Sequence, residues 1–132
     1  MPNSLASPPV RPVLDRLFQA AHSDDAVQWV TVRERYPDGF PAMSAREQAD
    51  AYADLYIPVS PEGGRLLYAL IRASRPSTVV EFGASFGIST IHLAAAVRDN
   101  GTGRVISTEL AGEGAACESS SCPTTRATCS TT

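Results

Sequence analysis

Apolar residues first fall into register at Leu14, Leu17, Phe18 and Ala21, a spacing that predicts a helix opening near Val13. A second short helix is predicted from Asp24, with the Asp24-Asp25 pair at its start and Val27 and Val30 on one face. The steps Tyr36-Pro37-Asp38-Gly39 and Phe40-Pro41 mark a loop. Beyond it, Ser44 with Glu47 has the form of a capping box, opening a helix through about Leu55. Tyr56, Ile57 and Pro58 break that helix, and Ser60-Pro61-Glu62 starts another, proline standing where its missing N–H is least harmful. Its buried face is predicted as Leu66, Leu67, Leu70 and Ile71, and Arg75-Pro76 ends it.

The pattern then changes period. Thr78, Val79, Val80 and Phe82 have the β-branched, apolar character of a strand covered on both faces, interrupted by Glu81 where it emerges from the sheet. Gly83 and Gly87 allow a tight turn and a close backbone approach to a ligand. Ser85 is a candidate cap for the next helix, which is apolar on more than one side from Ile88 to about Val97. Asn100-Gly101-Thr102-Gly103 supplies a turn, and Arg104 to Leu110 reads as a second strand. Residues 78–110 thus form one βαβ unit, expected to be parallel and right-handed, with any ligand at the carboxyl ends of its strands.

The two ends of the chain differ from this middle. Residues 1–12 carry four prolines and no apolar period, which predicts a mobile arm. Residues 111–132 contain no Val, Ile, Leu, Met or aromatic residue and hold all three cysteines, Cys117, Cys122 and Cys129. Such a segment cannot bury enough apolar surface to order itself, so a disordered tail is expected. The cysteines have neither a paired spacing nor a companion histidine, which argues against zinc.

Charge and composition exclude several functions. All eleven basic residues are arginine, so no P-loop can be written, and their scatter with a net charge of −3 gives no nucleic-acid footprint. No apolar run approaches the roughly 20 residues that cross a bilayer, and the start of the chain lacks a signal-peptide core, so no membrane partner and a cytoplasmic location are expected. His22 and His92 read as surface or packing residues, and Phe18, Trp29 and Tyr36 as helix-packing residues. The dinucleotide pattern G-x-G-x-x-G cannot be laid on Gly83 to Gly87, which leaves NAD a distant second cofactor.

The pattern E-x-G-x-x-x-G-x-S at Glu81 to Ser89 resembles motif I of S-adenosylmethionine-dependent methyltransferases. The segment Pro58-Val59-Ser60-Pro61-Glu62-Gly63-Gly64-Arg65-Leu66-Leu67 is similar to one that precedes motif I in catechol- and caffeoyl-CoA-type O-methyltransferases, so the resemblance spans roughly residues 50–110. It implies an α/β, Rossmann-like class I methyltransferase fold, truncated after its first βαβ unit. An N-terminal helical region at 13–75 would precede a cofactor-binding unit at 76–110.

Carried over by residue, Glu81 would hold the methionine end of the cofactor, while Gly83, Ala84, Ser85 and Gly87 would pass their backbone close to it. Ser89 would donate to the methionine carboxylate, Val59 would line the pocket, and Glu109 would accept both ribose hydroxyls, a pairing that suits a carboxylate. The implied activity is methyl transfer to a small-molecule hydroxyl, with a homodimer as a further expectation. The family's catalytic residues and divalent-metal ligands have no counterpart here, and the abrupt loss of apolar residues after Leu110 points to a truncated or frame-shifted reading of a longer gene. Two alternatives stay open: a non-catalytic remnant that keeps part of the cofactor cradle, and an oligomerising α/β module, since strand-glycine-helix turns also occur without any cofactor.

Overall fold

The computed structural model describes residues 3–37, 39 and 43–110. The cysteine-bearing tail at 111–132 and the Phe40-Pro41 step lie outside the described residues. The elements are a short 3-10 helix at Ser4–Ala6, α1 (Arg11–Arg35), α2 (Ala45–Ala51), α3 (Pro61–Ser74), β1 (Thr78–Phe82), α4 (Ile88–Asn100) and β2 (Arg104–Thr108). The chain is therefore mixed α/β, with β1 and β2 paired in parallel so that Val79 lies opposite Val105 and Glu81 opposite Ser107.

Local chemistry accounts for most of these boundaries. Ser44 and Glu47 form the reciprocal capping box on α2, although that helix stops at Ala51 rather than Leu55. Ser60 caps α3 by accepting the Gly63 N–H at 3.1 Å, and Pro61 occupies its first position. At the far end Arg75 is turned into the left-handed region ahead of Pro76, which closes the helix.

Two predicted helices merge into one. No glycine or proline interrupts positions 13–35, and the inward residues Leu14, Phe18, Ala21, Asp25, Trp29 and Val32 recur at three- and four-residue intervals. A single 25-residue helix results, with Val27 and Val30 exposed rather than buried. Asp24 and Asp25 do not start a helix; they sit in the middle of one.

The core lies between one face of the sheet and the α3–α4 pair. Leu93, Val97 and Val105 are buried at its centre, with Leu67, Ile71, Val79 and Ala94 packed around them. Close approach of the two helices depends on Gly64, because a Cβ there would stand 2.5 Å from Nε2 of His92. His92 is itself buried, its Nδ1 2.7 Å from the Ile88 carbonyl and its ring edge-on to Phe18. That inward stripe of Gly64, Leu67, Tyr68 and Ile71 leaves Leu66 and Leu70 exposed, correcting the wider buried face expected for α3.

Among the described residues the sheet is covered on one face only. Strand alternation turns Val79 and Glu81 toward α4 and sends Val80 and Phe82 the other way, where they remain 53% and 84% exposed. The apolar run of β1 is therefore not the mark of a strand buried on both sides.

The N-terminal arm is also held. The Ser4 N–H donates to Asp99 at 2.8 Å and its hydroxyl donates to the other carboxylate oxygen, while Tyr68 donates its hydroxyl to Asp99 at 2.6 Å. Residues 3–10 thus dock against α4 instead of forming the mobile arm expected from their prolines; a polar contact fixes them where apolar periodicity is absent.

Candidate functional site

The turn after β1 is built on left-handed backbone. Gly83 and Gly87 have φ of +84° and +83°, and between them Ser85 takes +46°. The N–H groups of Gly83 and Ala84 both donate to the Thr108 carbonyl, at 2.9 and 3.1 Å, so the turn is tied to the end of β2. Ser85 does not cap the next helix as expected: its hydroxyl donates to the Tyr56 carbonyl at 3.3 Å. Gly87 takes the cap position with no side-chain hydrogen bond. The positive end of α4 is thereby left without a side-chain acceptor at its cap.

Two carboxylates organise the strand ends. Glu81 is buried beneath the turn, where one of its oxygens accepts from Thr90 at 2.6 Å and from the Ser107 hydroxyl, joining β1, α4 and β2. Glu109 follows β2 directly. Its carboxylate accepts the Ser85 N–H at 2.7 Å and the Leu110 N–H at 2.7 Å.

A cavity of about 240 Å³ opens beside this junction. Gly83, Ser85 and Glu109 form one side, and Leu55, Tyr56 and Ile57 another, with Tyr52 and Phe86 adding aromatic surface. Three of the residues named from sequence are thus brought together. Ala84 and Gly87 belong to the same turn without lining the cavity, and Glu81 points into the protein. Ser89 is half-buried in the first turn of α4, and Val59 lies over the start of α3, where its methyl group would be 2.7 Å from a Cβ on Gly63.

The opposite wall was not foreseen. The Asp25 carboxylate accepts the Tyr56 N–H at 2.8 Å and the Ile57 N–H at 3.1 Å, holding the segment after α2. Tyr56 stacks on Phe86 with ring centroids 3.9 Å apart, and Trp29 meets Tyr52 edge-on at 5.6 Å. The sequence does carry a signal for this, since Asp25 and Trp29 are four residues apart and continue the apolar stripe from Leu14 to Ala21. An acid on the inward face of a helix requires a partner.

Among the described residues no group of three or more His, Cys, Asp and Glu side chains is placed to share a metal ion. No described helix is long and apolar enough to cross a membrane. Comparison with known proteins finds no family model that matches the chain and no match among curated proteins.

Proposed function

We propose that the chain is an S-adenosylmethionine-binding protein of the O-methyltransferase type, with β1, α4 and β2 as the first unit of a Rossmann-like sheet. One observation carries this reading: Glu109, at the tip of β2, lies against the Ser85 amide of the glycine turn at the tip of β1, and both face one cavity. Open parallel sheets take their ligands at that end.

The donor set suits the cofactor. Glu109 would accept the ribose hydroxyls, a carboxylate having about four acceptor sites in all. The first turn of α4, with no side-chain cap, and the hydroxyl of Ser89 would face the methionine carboxylate. Gly83, Ala84, Ser85 and Gly87 would provide the close backbone, Val59 would border the pocket, and Glu81 would shape the turn from below. When bound, the cofactor supplies an electrophilic methyl group. The chain's own part is to bind and orient, with Tyr52, Tyr56 and Phe86 offering an apolar wall to a planar small-molecule acceptor.

A non-catalytic reading is favoured by a different observation, the open sheet face at Val80 and Phe82, which suits an α/β module that self-associates. Calorimetric titration with S-adenosylmethionine, followed by a methyl-transfer assay on catechol-like acceptors, separates the two. Binding with turnover supports the enzyme, binding without turnover selects a non-catalytic remnant that keeps the cofactor cradle, and no binding rejects the cofactor assignment and leaves the self-associating module.

A further inference from the structure

We propose that Asp25, at the middle of α1, is a positioning residue for the cavity, setting the glycine turn from the opposite wall. The inference rests on the reading of that cavity as the cofactor site.

Asp25 is the one carboxylate on the inward stripe of α1, between Ala21 and Trp29. Both its oxygens are engaged by consecutive backbone N–H groups, those of Tyr56 and Ile57. This pairing holds an unfavourable backbone. Ile57 is β-branched and has φ of +38°, a region that such side chains rarely occupy unless the surroundings impose it.

The restraint passes directly into the site. The Tyr56 carbonyl accepts the Ser85 hydroxyl, and the Tyr56 ring stacks on Phe86, so residues 85 and 86 of the glycine turn are held by a segment that Asp25 fixes. Ser85 in turn donates its N–H to Glu109. A continuous path of hydrogen bonds and ring contact therefore runs from α1 to the carboxylate at the tip of β2. Asp25 itself does not line the cavity, so its effect on a ligand is through Tyr56 and Ser85.

The test compares the full chain with Asp25→Asn, Asp25→Ala and, as a control, Asp24→Asn, whose parent side chain is exposed and accepts from its neighbour Ser23. Three quantities are read: S-adenosylmethionine affinity, ligand-induced change in emission from Trp29, the chain's single tryptophan, and amide exchange at Tyr56, Ile57 and Ser85. Asparagine keeps the size of the side chain but loses one acceptor. Asp25→Asn is expected to weaken binding about tenfold, the scale of one charge-assisted hydrogen bond. It should also blunt the Trp29 response and speed exchange at Tyr56, Ile57 and Ser85, while Leu93 and Val97 keep their protection. Asp24→Asn should change none of these.

Affinity within twofold of the parent together with unchanged Ser85 exchange in both Asp25 variants overturns the proposal. Uniformly faster exchange that includes Leu93 and Val97 also overturns it, because Asp25 would then support the fold as a whole. If the parent chain takes no S-adenosylmethionine, the cofactor reading falls separately. Ser85 exchange in Asp25→Asn then decides, faster supporting the positioning role and unchanged overturning it.

Discussion

The backbone N–H of Ser85 donates to the carboxylate of Glu109 at 2.7 Å, linking two strand ends that are 24 positions apart in sequence. The Thr108 carbonyl, one residue earlier, takes the N–H groups of Gly83 and Ala84. The tip of β2 thus shapes the turn that follows β1, and both lie at the carboxyl end of the sheet, where Gly83, Ser85 and Glu109 line the cavity.

Removing that carboxylate has two measurable effects. Glu109→Ala is expected to weaken S-adenosylmethionine binding by a factor on the order of 10 to 100, since hydrogen bonds to a charged group are worth ~1.5–3 kcal/mol. It should also expose the Ser85 amide to faster exchange. Glu109→Gln, which keeps one acceptor oxygen, should fall between. Calorimetry checks the first effect, and unchanged affinity in Glu109→Ala would remove Glu109 from the site.

Glu81 separates charge from acceptance. Thr90 and Ser107 donate to the same oxygen, so a glutamine carbonyl placed there can receive both bonds. Glu81→Gln should therefore leave the urea midpoint nearly unchanged. Glu81→Ala strands two hydroxyls and should lower stability by about 1–3 kcal/mol. Equal losses in the two variants would show that the negative charge itself, rather than the acceptor, holds β1, α4 and β2 together.

Much of this architecture was legible from short-range chemistry. The Ser44–Glu47 box, the Ser60 cap and the Arg75-Pro76 stop act within a few residues, and the positive φ at Gly83 and Gly87 is what a glycine turn demands. What escaped depended on partners distant in sequence. Ser85 leaves the helix cap for the Tyr56 carbonyl 29 residues away, and Ser4 finds Asp99 across 95 residues. Asp25 looked like a helix start because its role lies in the backbone of Tyr56 and Ile57. Leu66 and Leu70 fitted a buried stripe by period, but Gly64 draws α4 onto the neighbouring ridge.

Gly64 supplies a steric test of that packing. Gly64→Ala brings a methyl carbon to 2.5–2.8 Å from three atoms of the His92 ring, which must rotate or push α3 from α4. Overpacking of this kind costs about 1–3 kcal/mol. The thermal midpoint should fall. Adding His92→Ala should restore part of the loss, giving a double variant more stable than the sum of the two single changes. Strict additivity would mean that the two residues do not meet.

The Ser4–Asp99–Tyr68 cluster predicts how stability changes at both extremes of pH. For Asp99, burial acts to raise the pKa, but hydrogen bonds from Ser4 and Tyr68 and the charge of Arg72 outweigh it and hold the group below its ordinary 3.8. A depressed carboxylate stabilises the fold above its unfolded value, and that contribution is lost as pH falls below 3.8 toward the folded value. Tyr68 moves the other way. Burial first, then the Asp99 hydrogen bond and charge, push its phenol from 10.0 up to about 12, so its contribution is complete below pH 10.0 and lost as pH rises toward about 12. Tyr68→Phe should flatten the alkaline limb of the stability profile, and Asp99→Asn should flatten the acid limb and shift the remaining Tyr68 titration downward. Ser4→Ala removes the hydroxyl bond and keeps the backbone N–H bond, so it should raise the Asp99 pKa and loosen the N-terminal segment without touching the cavity. Denaturation midpoints across pH, with the phenolate absorbance read in parallel, check each of these, and an alkaline limb identical in the parent and Tyr68→Phe would show that the cluster does not couple ionisation to folding.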